Sequence, residues 1–542
     1  MQPSERHTLN PSISFDGGDL DCGNGLLLLI RKHIDPLLPG QLLEVISSEI
    51  SVEEDLPAWC RLTKNDLISW TKHGKTRSYL ICKGPFVPRG AGILPGGTPP
   101  DQNKTGAATV DDARVVNGAA TIRSVISSGA SVASEVEKSL MTAAPAPLSS
   151  QLPLPIPPQL IKPCSVMGIG SWPRPAWLLR ALHERLEGRL SEPEFEQAAD
   201  DAVRLSIAAQ LRAGVNVVTD GEQRRDNYSS FVANRLDNCQ SIPLIDLLPL
   251  VDDPEKFAEQ MKSLDVPADK VRHPAVFGRI SRSRTLVLHE FEFAKNLTTL
   301  PVKVALPGPY LLTRTMWIDC ISDKAYRSRE ELAQDIVKVL REEAHHLMAA
   351  GVSLVQFDEP VLSEVAFTGA KSARSFMCGA LGERGDTQEE LQFALQIINQ
   401  VVEGLPASRT AMHVCRGNWT ADENVALSGD YRPLLPLLKA VNVGTLFLEF
   451  CTPRAGDLDL IAEIPSSKRI GIGVVNPKDP AVESAETLAR RIEHAISLVG
   501  VDRLLFTPDC GFATFADNPV ASAAIAEAKL KAISDAVAFL SL

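Results

Sequence analysis

Nowhere in the 542 residues does an uncharged apolar run approach the roughly 20 residues that a membrane-spanning helix requires. The first ten residues are polar and contain no apolar core of the kind a secretory leader carries. These absences lead to the expectation of a cytoplasmic protein with no membrane partner. Equally lacking is any Lys/Arg-rich block with interleaved aromatics, and the formal net charge is −12, so nucleic acid is not an expected partner. Cysteine is sparse: ten in a chain of this length make no disulfide framework. In a reducing compartment each is a small buried hydrophobe, a metal ligand or a nucleophile.

What is present is 44% hydrophobic and 23% charged residues, the balance of a globular chain long enough for more than one domain. Composition divides it in three. Residues 15–84 read as a compact unit. Residues 85–160 are dominated by Pro, Gly, Ala, Ser and Thr, as in PRGAGILPGGTPP and TAAPAPLSSQLPLPIPPQ, and read as a linker with one helix-compatible segment near 113–141. From 161 to 542, short apolar runs alternate with longer helical patterns, the mark of a parallel sheet wrapped by helices.

Eight such runs occur, and nearly every one closes on a chemically capable residue. They are CSVMGIG ending at Ser171, VNVVTD near Glu222, VKVALPG near Gly308, SLVQF at Asp358, RTAMHVC at Cys415, GTLFLEF through Glu449, RIGIGVV before Lys478, and RLLFTPDC at Cys510. The expected fold class is therefore α/β: a (β/α)8 TIM barrel, with the site at the C-terminal strand ends where the βα loops converge. A small α+β two-layer sandwich is expected to precede it. SREELAQDIVKVLREEAHHLMAAG and TQEELQFALQIINQVVEGL read as outer helices opening on Ser or Thr caps. Residues 226–300 exceed one βα unit and read as a helical excursion over the barrel mouth.

His413 and Cys415, one residue apart at a strand end, face the same side. Glu449 ends the next strand and Cys510 the last, which brings nitrogen, oxygen and two sulfurs to one mouth. Mixed N, O and S donors suit Zn2+, while thiolates disfavour magnesium and calcium. Zinc would deprotonate a substrate thiol at neutral pH, so alkyl transfer to sulfur is the natural reaction. The blander reading of a lone His-x-Cys is core packing.

With MGIGSWPRP, TDGEQRRDN, PGPYLL, QFDEP, MHVC, LFLEF and TPDCG in order, the chain from about residue 165 resembles the C-terminal catalytic domain of cobalamin-independent methionine synthase. The resemblance implies zinc ligands His413, Cys415, Glu449 and Cys510, and a homocysteine-like thiol held by Ser171, Glu222 and Asp358. Paired carboxylates are also what an amino acid's ammonium requires. Taken singly, those three residues also fit a cap, an ion pair or a loop hydrogen bond. Asp358 and Lys478 are the candidate catalytic groups. The family's catalytic histidine is matched here by Lys478 in VVNPKDP, which is either a charge stabiliser of lowered pKa or an exposed lysine paired with Asp479. The family's tryptophan after Gly-Pro is displaced to Trp317. The long N-terminal half of the folate-using synthase is absent, so the donor is left open between methyltetrahydrofolate, a corrinoid protein and others.

Residues 19–84 resemble the TusA-type sulfur carriers, which use a Cys-Pro-x-Pro motif at a helix N-terminus to lower a thiol pKa. Here that stretch is Cys22-Gly23-Asn24-Gly25, with neither proline, leaving a working carrier with a sulfur-relay partner and a docking remnant as alternatives. Cys60 and Cys82 sit among apolar residues and are expected in the core. For the whole chain the alternatives to a methyltransferase are a sulfur-trafficking protein, an enzyme acting on another thiol, a lyase, and a zinc-stabilised scaffold without activity.

Overall fold

A computed structural model of the chain describes residues 6–18, 20, 26–34, 36–50, 52–63, 65–86, 152–186, 189–246, 272–317, 325–367 and 386–542. Cys22, the helix-compatible segment at 113–141 and most of the composition-defined linker lie outside the described residues.

The N-terminal elements run β1 (Ile13–Asp16), a helix (Leu27–Ile34), β2 (Leu42–Ser47), a helix (Val52–Leu62), β3 (Asp66–His73) and β4 (Thr76–Cys82). They form a four-stranded sheet of order β1-β2-β4-β3, in which only β1 and β2 are parallel. Alternation decides which face is buried: Leu43 and Val45 on β2 meet Ile30 and Ile34, one helical turn apart, together with Leu26 and Leu56. Cys60 and Cys82 are both buried, as expected of small hydrophobes.

Residues 152–160, which composition assigns to the linker, are held by the second part of the chain. The Ile156 amide donates to Met348 O at 3.2 Å, and Arg409 Nη1 donates to Ile156 O at 2.8 Å. A proline-rich segment without internal hydrogen bonds is ordered here by partners outside itself.

Beyond it, a short two-stranded antiparallel ribbon, β5 (Asp237–Pro243) and β6 (Arg272–Ser281), precedes the main sheet. The expectation of a helical excursion over 226–300 is thus corrected for the described residues of that span. His273, Ala275 and the intervening residues of β6 pair across the ribbon in an extended register, and only Leu288–Lys295 is an α-helix among the described residues there.

The main sheet comprises β7 (Lys303–Pro307), β8 (Leu354–Asp358), β9 (Thr410–Val414), β10 (Thr445–Glu449), β11 (Arg469–Val475) and β12 (Leu504–Pro508). Its order is sequential and every pairing is parallel. Isolated parallel bridges continue past both edges: Val166 to Phe506, Met167 to Val217, and Val218 to Val302. Residues on β7 to β10 and β12 are buried throughout, as strands covered on both faces must be.

Period-two alternation places the chemistry at one end of this sheet. Leu354, Gln356 and Asp358 share a face of β8; Ala411 and His413 share one on β9; Phe447 and Glu449 share one on β10. Leu354, Ala411, Phe447 and Leu505 join Met167 and Val217 in a separate apolar cluster. Along that face the strands pass from a dry base to polar groups at their C-terminal ends.

Helices cover the other face. Ser328 caps the helix Arg329–Ala349 by accepting from Glu331 N, as the sequence suggests. The helix Thr387–Val402 is capped instead by Asp386, whose carboxylate accepts from the amides of Gln388 and Glu389, so the Thr expected as cap is its first helical residue. Among the described residues no helix is long and apolar enough to cross a membrane.

Candidate metal centre

The parallel register sets Asp358 beside His413, and Phe447 beside His413 on the other side. Asp358 Oδ1 accepts from His413 Nδ1 at 2.8 Å. That bond fixes the ring and leaves Nε2 buried without a hydrogen-bond partner. Glu449 is fully buried, and its Oε1 accepts from the Arg416 amide and from Asn418 Nδ2, both at 2.8 Å. Its Oε2 also lacks a hydrogen bond.

Among the described residues, ligand atoms of His413, Glu449 and Cys510 lie within 4.8 Å of one another. Cys415 stands outside that mutual group, yet its Sγ is 3.5 Å from Cys510 Sγ. The Cys415 thiol is pulled below its ordinary range by the hydrogen bond from Cys510, whereas that same bond, burial and nearby negative charge push Cys510 up. Burial disfavours charge on His413, but the Asp358 hydrogen bond and the surrounding anions outweigh it and raise its pKa. Two buried thiols, a carboxylate oxygen that faces the Arg454 guanidinium at 3.5 Å, and an imidazole nitrogen without a hydrogen bond form a donor set that suits a cation.

A pocket opens directly on this group. About 460 Å³ of empty space, part of it open to solvent, lies within it. Ser171, Glu222, Asp358, His413, Cys415 and Cys510 all line it. Six of the residues singled out from the sequence therefore converge on one cavity, with Glu449 buried behind them.

Glu222 has φ +55°, a left-handed conformation uncommon for a residue with a side chain. Its backbone is clamped: its amide donates to Asp220 Oδ1 at 3.1 Å and its carbonyl accepts from Arg174 Nη2 at 2.8 Å. The carboxyl group is thereby directed into the cavity, where burial raises its pKa to about 7 against the pull of Arg225. Ser171 Oγ accepts from the Ala513 amide at 3.3 Å, tying the first strand end to the loop after Cys510.

Lys478 does not line the pocket. It is buried, and its Nζ donates to Asp422 O at 2.9 Å, which corrects the picture of an exposed lysine paired with Asp479. Burial lowers its pKa, with Glu423 acting in the opposite sense. Trp317 follows the helix Pro309–Met316 and packs against the core rather than lining the pocket.

Other participants went unnoticed in the sequence. Tyr228, Asn418, Trp419 and Thr514 also line the cavity, from loops whose paths no periodicity predicts. Asp509 accepts from the amides of Phe450 at 3.0 Å and Cys451 at 3.1 Å, joining the end of β12 to the end of β10 beside Cys510 and Glu449. Gly473 makes this approach feasible, because a Cβ there would collide with the Asp509 carboxylate and Cα. We expect Gly473→Ala to destabilise the fold by roughly 1–3 kcal/mol, the usual range for overpacking, as read from urea midpoints. An unchanged midpoint would show that Asp509 yields freely.

A family model described as cobalamin-independent synthase, catalytic domain, matches residues 164–532. A methionine synthase of Saccharolobus solfataricus is 25% identical over 344 residues, which are 63% of this chain and 86% of that protein. One from Sulfurisphaera tokodaii is 26% identical over 344 residues, covering 63% of this chain and 84% of its own length. Among solved structures, a B12-independent methionine synthase from Shewanella sp. W3-18-1, in complex with selenomethionine, superposes with a TM-score of 0.53 at 24% identity. That match covers 70% of this chain and 98% of the other, and it speaks to the fold.

Proposed function

Since the chain belongs to the cobalamin-independent methionine synthase catalytic-domain family, we propose that it methylates the sulfur of homocysteine, with a zinc site at the mouth of an eight-stranded barrel. The parallel bridges beyond β7 and β12 support the barrel reading. One observation carries the site: His413 Nε2 is buried without a hydrogen bond beside two thiols and the Glu449 carboxylate, whose Oε2 faces the Arg454 guanidinium at 3.5 Å, a donor set that a bound cation would complete. His413, Cys415, Glu449 and Cys510 would hold the ion. When bound, zinc supplies the means of keeping a substrate thiol deprotonated at neutral pH.

The remaining groups orient the acceptor. Glu222 and Asp358 face the cavity as partners for its ammonium, with Ser171, which also lines it, for its carboxylate. Lys478 would lend positive charge from behind the Asp422 loop. Residues 161–542 form the catalytic domain in this reading. Residues 15–84 are a TusA-type module, a reading supported by the two helices and four strands between Ile13 and Cys82, and 85–160 connect the two. The donor is sought among methylated pterins, corrinoid proteins and other methyl carriers.

The deciding experiment measures metal content and methionine formation from homocysteine with each donor class. One zinc per chain and methionine formation with any of them support the reading. A purified, folded protein that takes up no zinc would overturn it.

The raised pKa of Glu222 makes a separate prediction. Below about pH 7 the group is neutral and cannot pair with an ammonium; above it the carboxylate forms. Homocysteine affinity in wild type should therefore increase between pH 6 and 8 by more than in Glu222→Gln, as read by calorimetry. Linkage has the opposite sign for stability. The native state holds this proton more tightly than the unfolded chain, so the contribution is full below the ordinary carboxyl value of 4.5 and lost as pH rises through about 7. Glu222→Gln should flatten that part of the stability profile.

A further inference from the structure

Beneath the pocket lies a buried cation that the proposed reaction does not use. Lys303, the first residue of β7, is fully buried, and its Nζ donates to Ile169 O and to Gln356 Oε1, both at 2.6 Å. It lies 4.6 Å from the centroid of the Phe447 ring. Gln356 Nε2 in turn donates to Asp358 Oδ1 at 2.7 Å, the same oxygen that accepts from His413 Nδ1. The ladder brings these groups into line: Ala305 pairs with Gln356 and Asp358 with His413.

The chemistry of each group leaves one arrangement. An ammonium only donates, so Gln356 must turn its oxygen toward Lys303. Its NH2 is then committed to Asp358, which as a carboxylate only accepts. His413 must therefore carry its hydrogen on Nδ1, and the lone pair is left on Nε2, the buried nitrogen without a partner. Burial lowers the Lys303 pKa to about 7, while the Asp358 and Glu222 charges act to keep it protonated.

We propose that Lys303 and Gln356 are positioning residues: through Asp358 they set the ring orientation and tautomer of His413, and so present Nε2 to the metal. This rests on the metal site proposed above. With Lys303 removed, the Gln356 oxygen loses the donor that anchors the amide, so the hydrogen bond from Gln356 Nε2 to Asp358 is no longer held in place and the constraint on His413 loosens. Neither residue touches the metal position, so their effect must pass along the chain of hydrogen bonds.

A double-mutant cycle on the full-length protein tests this. Lys303→Met, Gln356→Met and the double variant are compared for zinc affinity by chelator competition and for the visible absorption bands of the cobalt-substituted protein. Each single variant should lose about 10- to 100-fold in zinc affinity, the range usual for partners of metal-bound histidine. The double variant should lose no more than the worse single one, because both cut the same relay. Losses that multiply, or affinities within twofold of wild type in folded protein, would overturn the proposal. Should the methionine variants fail to fold, Gln356→Glu keeps the volume and the Lys303 contact but sets an oxygen against Asp358. It should show the same loss and altered cobalt bands, and unchanged values would be equally adverse. Wild-type protein that binds neither zinc nor cobalt would instead sink the metal reading, and the relay with it.

Discussion

Cys510→Ala is expected to lower methyl transfer to homocysteine by at least about 10³-fold while the far-UV circular dichroism stays that of the wild type. That factor corresponds to roughly 4 kcal/mol of transition-state stabilisation. The reason lies in the nucleophile: a free thiol of pKa about 8.5 is mostly protonated at neutral pH, and alkyl transfer requires the thiolate. Cys510 is buried at the end of β12 with its sulfur 3.5 Å from that of Cys415, so two thiolates can coexist there only around a cation. Chelation of wild-type protein should reproduce the loss, and added zinc should reverse it in wild type but not in the variant. A loss under tenfold would remove Cys510 from the site.

Asp358→Asn should lower kcat/KM for homocysteine by about 10²- to 10³-fold, equivalent to roughly 3–4 kcal/mol, within the range for truncating one partner of a buried charge pair. The asparagine oxygen can still accept from His413 Nδ1 and Gln356 Nε2, so the geometry is largely kept while the charge is lost. The effect should therefore fall on substrate binding more than on metal retention. A thiol of the same length without the amino group separates the two: wild type should strongly prefer homocysteine, and the variant should lose most of that preference. If both enzymes discriminate equally, the ammonium is held elsewhere.

Much of this site is visible along the chain because strand ends are short, apolar and abruptly terminated. His413, Cys415, Glu449 and Cys510 each stand out as a polar or sulfur-bearing residue closing a hydrophobic run, and the six runs that become β7 to β12 are all recognisable. The first two runs, ending near Ser171 and Glu222, make only isolated bridges, although their terminal residues still reach the pocket. Lys303 and Gln356 escaped notice for a definite reason. A lysine opening an apolar run looks like a solvated flank, and a glutamine inside one looks like an exception. Their position on the same face as Asp358 could have been read from alternation, but their mutual contact could not. The β5–β6 ribbon was missed because RHPAVFGRIS mixes basic residues, proline and glycine with its apolar ones, so neither period stands out.

Sequence alone was enough to name the candidate donors: which ones exist, that they close successive apolar runs, and that they gather at the C-terminal end of the sheet. These are local properties, set by residue type and by the period-two alternation of a strand. Tertiary structure decided which groups meet. Register placed Asp358 against His413, a glycine on β11 admitted Asp509 beside Cys510, and burial turned Lys478 toward the Asp422 carbonyl and Lys303 toward Gln356. Such pairings join residues tens of positions apart, and their strength depends on distance and on exclusion from water, which come into being only when the chain has folded.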